Sequence, residues 1–308
     1  MTLRVTFLGT SGAVPTTERN PSAVMVNREG DRLLFDCGEG TQRQMMRFST
    51  GFAVDHLLVT HLHGDHVYGI PGLLETLDFN ERTDPLTVHV PPGEVGPMRE
   101  LIGALGRRPS FPLRVREVGY GATVLSGDGY EVRSFEVDHR ASAVGYALVE
   151  DDRKGRFDRE RAEELGVPVG PKFSKLHEGE AVELEDGTVV RPEQVVGDPR
   201  PGRRVVYTGD TRPTERTVEV AAEADLLIHD ATFADDRADR ARATKHSTAR
   251  EAAELAARAG VRRLALTHVS SRYAGDPSAH EAEAREAFDG DCFVARDGQT
   301  LEVEFPEH

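Results

Sequence analysis

Seven residues, Thr60-His61-Leu62-His63-Gly64-Asp65-His66, constrain this chain more than any other stretch. They close an apolar β-type run, His56-Leu57-Leu58-Val59, and put four metal-capable side chains within six residues. Packing alone gives no reason to gather imidazoles and a carboxylate at a strand end. Zinc does, because neutral imidazole and carboxylate are both suitable ligands and a tight turn can aim them at one point. A fold that uses such a turn must bring further ligands from elsewhere. Three candidates share the same local setting. His139 follows the run Tyr130 to Val137, Asp210 closes Val205-Val206-Tyr207-Thr208-Gly209-Asp210, and His268 closes Leu264-Ala265-Leu266-Thr267-His268.

The rest of the chain alternates short β-type runs with helical ones, the pattern of an α/β protein. Strands are expected over Val5–Leu8, Ala23–Val26, Arg32–Asp36, Leu86–Val90, Arg203–Tyr207, Ala224–Ile228 and Arg262–Leu266. Helices are expected after Gly38-Glu39-Gly40, over Val67–Leu77 and over Thr248–Ala259. The last has the clearest ends, with Thr248 and Glu251 spaced as a capping box and Gly260 as the stop. One stretch breaks the rhythm. From Val149 to Val182 the chain is dense in charge, poor in apolar residues and punctuated by Gly and Pro, which reads as an insertion with a binding role.

With 308 residues the chain can bury a sizeable core. No apolar run approaches the roughly 18 residues of a membrane span, and the N-terminus enters a strand-like segment with no signal-peptide pattern. Two cysteines, Cys37 and Cys292, cannot make a disulfide framework, so a cytoplasmic location is expected. The net charge is −15, with 53 acidic against 38 basic residues, and only four of the latter are lysine. Such a surface stays hydrated when salt screens ordinary charges, so a high-salt cytoplasm is the expected setting. Charge of this sign also argues against a nucleic-acid partner.

The signature His61-x-His63-x-Asp65-His66 resembles that of the metallo-β-lactamase fold. The resemblance implies an αβ/βα four-layer sandwich of two mixed β-sheets. It also implies two Zn2+, one on His61, His63 and His139, the other on Asp65, His66 and His268, with Asp210 bridging. The signature alone leaves lactams, thioesters, sulfate esters and nucleic acids open as substrates.

Two further segments narrow the choice. Leu227-Ile228-His229-Asp230-Ala231-Thr232 and Thr244-Lys245-His246-Ser247-Thr248 are similar to two motifs of RNase Z, the tRNA 3′-processing endonuclease family, with Asp230 where that family usually has Glu. The stretch Gly166 to Gly179, with Gly170-Pro171, resembles the Gly-Pro arm of the short form of that family, and Phe7-Leu8-Gly9-Thr10-Ser11-Gly12 also matches. The resemblance implies one metallo-β-lactamase domain over 1–308 with 151–178 as an inserted, protruding arm. The substrate would be precursor tRNA, the cut leaving a 3′-hydroxyl, and the protein a homodimer. Asp65 would orient and deprotonate the attacking water. His246, supported by Asp230, would protonate the leaving oxygen.

The arm answers the charge objection. Seven basic and six acidic residues lie between Asp151 and Lys175, a net +1 in a chain of −15. Lys154, Lys172 and Lys175 fall there, and the remaining lysine, Lys245, adjoins His246. Phosphate contacts are therefore expected from these lysines, from the Gly170-Pro171 turn and from Arg272, with Thr10, Ser11 and Arg19 as further candidates. A small-ester phosphodiesterase or arylsulfatase of the same fold would need the metal site without the arm. An inactive RNA-binding relative would not need the full ligand set. The other histidines, His56, His89, His177, His280 and His308, are expected at surfaces or edges, His229 buried beside the site, and both cysteines packed as small apolar residues.

Overall fold

Strand Leu3–Gly9 shows the logic by which the sheets are built. Its residues alternate in period two, so Leu3, Val5 and Phe7 enter one apolar cluster while Leu8 enters another. Ala23–Arg28 and Asp31–Phe35 repeat the division, with Val24, Val26, Leu33 and Phe35 on one side and Met25 and Leu34 on the other. A sheet buried on both faces needs a layer on each, and the clusters show which layers these are. The structure is a computed structural model and describes residues 2–306 apart from 105 and 107.

Residues 1–149 and 203–305 form one compact unit. Its first seven-stranded sheet runs, edge to edge, Thr300–Glu302, Leu3–Gly9, Ala23–Arg28, Asp31–Phe35, His56–Leu58, Leu86–Val90 and Leu113–Glu117. The second runs Asp291–Val294, Arg263–Thr267, Leu226–Asp230, Arg204–Tyr207, Val144–Glu150, Tyr130–Glu136 and Thr123–Gly127. Both mix parallel and antiparallel pairs. One cluster joins the facing sides, with Phe7 and Phe35 meeting Tyr146, Tyr207 and Ile228. A second seats Ala249–Ala259 and Ser278–Ala287 on the outer face of one sheet, and a third seats Thr41–Arg47 and Ile70–Phe79 on the other. The unit is therefore the expected four-layered αβ/βα sandwich.

The helix expected over Val67–Leu77 is two, Gly64–Val67 and Ile70–Phe79. The break falls at Gly69, whose Cβ position would lie 2.0 Å from the Gly38 carbonyl, so two backbones meet where a continuous helix would need room. The helix Ala249–Ala259 has the ends expected of it. Thr248 accepts from the Glu251 amide, the Glu251 side chain returns the bond, and Gly260 ends the helix at φ 65°.

Residues 150–202 form a second unit. The run from Val149 to Val182, expected to be poor in apolar residues, supplies Ala162, Val167, Leu176 and Val182 to a small core of six that Val190 and Val195 complete, flanked by Phe157 tilted against Phe173. Three of those six lie beyond residue 178, so the structured unit continues past the 151–178 boundary expected for the arm. Asp158 caps the helix Arg159–Glu164, and Pro171 opens the helix Pro171–Glu178. Gly170 precedes it at φ 150°, a conformation reserved to glycine. No helix among the described residues is long and apolar enough to cross a membrane.

Candidate metal centre

The ligand-type side chains leave the C-terminal ends of strands from both sheets, the edge at which open α/β sheets place their sites. His61 to His66 follow His56–Leu58, His139 follows Tyr130–Glu136, Asp210 follows Arg204–Tyr207, and His268 follows Arg263–Thr267. Their polar atoms form two groups. In the first, His61 Nε2 and His63 Nδ1 are 2.9 Å apart, His139 Nε2 is 3.2 Å from His63 Nδ1, and Asp210 Oδ2 is 3.5 Å from His61 and 3.9 Å from His139. In the second, His268 Nε2 lies 3.1 Å from Asp65 Oδ2 and 3.2 Å from Asp210 Oδ1. His66 Nε2 lies 3.6 and 3.3 Å from the same two oxygens. Asp210 turns one oxygen to each group, and Gly209 at φ 60° sets the turn that delivers it.

Four of the five rings are held from behind, His63 being the exception. His66 Nδ1 is 2.8 Å from Asp36 Oδ2, His61 Nδ1 is 3.0 Å from Thr60 Oγ1, His139 Nδ1 is 3.1 Å from the Lys245 carbonyl, and His268 Nδ1 is 2.7 Å from Thr232 Oγ1. An oxygen partner at Nδ1 leaves Nε2 free as a ligand, which is how protein metal sites orient imidazole. Asp36, fully buried at φ 56°, also accepts from the Thr60 amide and hydroxyl and from the Tyr207 hydroxyl. His268 itself sits at φ 61°, and the absent side chain of Gly12 leaves room for its ring and carbonyl.

These groups fit metal ions and little else. Ring nitrogens crowd together at 2.9 to 3.2 Å, and Asp210 Oδ1 is buried with no hydrogen-bond partner among the described residues. Such an orphaned oxygen is costly unless a cation sits beside it. Protonation agrees. Burial, reinforced by neighbouring rings, holds His61 well below the usual imidazole range, and burial also lowers His63 and His139. Burial would raise Asp65 and Asp210, but the adjacent histidines outweigh it and keep both carboxyls low. His66 differs. Asp210, Asp36 and Asp65 overcome its burial and raise it, so ligation there displaces a proton.

A carboxylate–imidazole pair stands beside the two groups. Asp230 is fully buried at the end of its strand, and its Oδ2 lies 2.8 Å from His246 Nδ1 and 3.0 Å from the Thr211 amide. Burial opposes charge on His246, but Asp230 outweighs it and pushes the imidazole up to about 9. The His246 carbonyl accepts from Arg212, which pairs with Glu251 of the capping box, so the helix start fixes the pair. Asp210, Asp230, His246 and His268 are also close enough to hold an ion among themselves. That arrangement would take Asp230 from its donors, whereas the other two groups use atoms otherwise unserved.

The remaining sequence candidates divide. Thr10, Ser11 and Arg19 are buried and committed within the protein, which corrects their assignment to phosphate. Arg19 donates to Thr10 Oγ1 at 2.7 Å and to the Ala295 carbonyl, Thr10 donates to Asp297, and Ser11 to the Val14 carbonyl. Lys245 is paired with Asp138 at 2.9 Å, and Arg272 is exposed. Lys154 and Lys175 are exposed, while Lys172 donates to the Glu183 carbonyl. His89 and His280 are buried, contrary to the expectation of surface positions, and His56 is half-buried, 3.1 Å from His89. His177 is exposed, His229 is buried with Nδ1 2.8 Å from the Asp230 carbonyl, and His308 lies outside the described residues. Both cysteines are buried and unpaired. Sequence reasoning does not single out Asp36 or Thr232. Asp36 carries the same signal as Asp210, a carboxylate straight after the apolar run Leu33-Leu34-Phe35.

Residues 16–268 match the family model described as the metallo-beta-lactamase superfamily. A protein of Natronomonas pharaonis named Ribonuclease Z is 69% identical over 307 residues, covering all of both chains. One of the same name from Haloferax volcanii is 66% identical over 100% of this chain and 97% of its own. Among solved structures, human tRNase Z, short form, superposes with a TM-score of 0.71 at 26% identity, covering 98% of this chain and all of that one.

Proposed function

The chain belongs to the ribonuclease Z family of the metallo-beta-lactamase superfamily, and from that membership and the site we propose a hydrolase that removes the 3′ trailer from precursor tRNA. The observation that carries this reading is Asp210, buried between two groups of ligand atoms with one oxygen turned to each. His61, His63 and His139 would hold one zinc, Asp65, His66 and His268 a second, and Asp210 both. A zinc pair supplies Lewis acidity to phosphate oxygens and lowers the pKa of water at neutral pH.

The protein's own residues do the rest. Asp65 Oδ2 accepts from the Ala13 amide at 2.7 Å, which fixes the carboxylate for orienting and deprotonating water. His246, held as imidazolium by Asp230, gives its proton to the 3′-oxygen as the phosphorus–oxygen bond breaks. The products are a tRNA ending in a 3′-hydroxyl and a trailer beginning with a 5′-phosphate. Residues 150–202, with Lys154, Lys172, Lys175 and the Gly170-Pro171 turn, would grip the body of the tRNA. Arg272 and Lys245 would contact phosphate once Lys245 exchanges Asp138 for it. High salt weakens counterion release, so this grip relies on shape and discrete hydrogen bonds.

The protein would act as a homodimer in the cytoplasm. The acidic, lysine-poor composition, together with relatives from halophiles, supports work at high salt. Incubation with a 3′-extended tRNA, mapping the cut and the ends, tests the reading. Cleavage after the discriminator with a 3′-hydroxyl is expected. An uncut substrate, or a 3′-phosphate on the tRNA, would refute it.

A further inference from the structure

Thr232 is buried beside the Asp230–His246 pair, and three groups compete for its hydroxyl. Asp230 Oδ1 lies at 2.6 Å, His268 Nδ1 at 2.7 Å and His246 Nδ1 at 3.1 Å. A hydroxyl has one proton to give, and counting donors decides where it goes. Asp230 Oδ1 already accepts from the Thr232 amide at 2.8 Å, as Oδ2 accepts from the Thr211 amide. Asp230 is thus an acceptor on both oxygens, and the 2.6 Å contact requires the Thr232 proton. With that proton spent, Oγ1 can only accept from His268. The 2.7 Å contact then requires His268 to carry a proton on Nδ1, so Nε2, 3.1 Å from Asp65 and 3.2 Å from Asp210, is the nitrogen left for a metal. His246 satisfies its own Nδ1 on Asp230 Oδ2 at 2.8 Å.

We propose that Thr232 is a positioning residue that relays the charge of Asp230 to His268, so that one carboxylate serves both the proton donor and the metal centre. One oxygen of Asp230 holds His246, and the other, through the hydroxyl, fixes the tautomer and ring of His268. His246 and His268 stack at 5.2 Å and 19°, parallel rings pinned from the same carboxylate. The centre repeats the device on its other side. Thr60 gives its hydroxyl proton to Asp36 at 2.9 to 3.1 Å and its Oγ1 lies 3.0 Å from His61 Nδ1. Each zinc group thus contains one histidine addressed through an Asp–Thr pair. The short reach of Asp230 suits the relay, since its Oδ1 is closed onto the Thr232 amide and hydroxyl two residues on.

This inference rests on the zinc reading above, and its test separates the two. The tautomer of His268 is read by ¹⁵N NMR in the metal-free wild-type protein, and zinc affinity by chelator competition in wild type, Thr232→Val and Thr232→Ser. Expected are a proton on His268 Nδ1 in the wild type and its loss in Thr232→Val. One of the two zincs should weaken about 10–100-fold in Thr232→Val, the other should be unchanged, and Thr232→Ser should restore both. An unprotonated Nδ1 on His268 in the wild type would overturn the relay whether or not zinc binds and whether or not the variants fold. Two zincs held by Thr232→Val with wild-type affinity would overturn it too. A wild type that binds no zinc would refute the metal reading and leave the tautomer to decide the relay.

Discussion

His246→Ala separates the proposed proton donor from the candidate metal centre. The side chain is 2.8 Å from Asp230 and no nearer than 3.9 Å to Asp210, so its removal takes away a proton and leaves both ligand groups complete. Losing a positioned general acid costs about 10²–10⁴-fold in turnover, equivalent to about 3–5 kcal/mol of transition-state stabilisation. The loss should depend on the leaving group. A ribose 3′-oxygen needs a proton as it departs, whereas a nitrophenolate leaves without one. Precursor tRNA cleavage should therefore fall by the full factor and hydrolysis of a nitrophenyl phosphodiester by about tenfold or less. The assay is kcat for both substrates, with zinc content measured on the same preparation. Two results would refute the reasoning. Zinc lost with the side chain would make His246 a ligand, as the grouping of Asp210, Asp230, His246 and His268 allows. An equal fall for both substrates would show that its proton is not used on the leaving group.

Two more predictions concern the second unit and the buried histidines. Val149 pairs with Arg204, so residues 150–202 can be replaced by a short hairpin turn. That variant should lose precursor-tRNA cleavage and keep small-diester hydrolysis, and equal loss or equal survival of both activities would count against tRNA gripping by this unit. Burial holds His89 and His280 near 4, below the 6.5 of an unfolded chain. The unfolded state takes up these protons first, so stability falls as pH drops from 6.5 to about 4, by up to about 3 kcal/mol per group. His280→Leu should flatten the slope of Tm against pH over that window, and an unchanged slope would show that His280 does not contribute.

Much of the fold and of the candidate metal centre is legible in the amino-acid order, for a physical reason. Ligand-type residues at the ends of apolar strands interrupt a pattern that otherwise demands hydrophobic side chains, so His61, His63, His66, His139, Asp210 and His268 stand out by position as much as by type. The capping box of Thr248 is equally plain because it is a local device. Asp36 obeys the same strand-end rule but stands alone, and only folding brings it to His66 and Tyr207. Thr232 has a side chain common in any loop, and its meaning lies in three partners, two of them 14 and 36 residues away. His89 lies in Leu86-Thr87-Val88-His89-Val90, where alternation suggests one wet face. Layers on both sides bury all five residues. The helices of residues 150–202 are six and eight residues long, too short for periodicity to declare them.

Anomalous diffraction at the zinc edge, on crystals grown with the metal, tests the central claim most directly. The account predicts two peaks per chain, one among His61, His63, His139 and Asp210, the other among Asp65, His66, His268 and Asp210. A single peak, or one seated on Asp230 and His246, would contradict it.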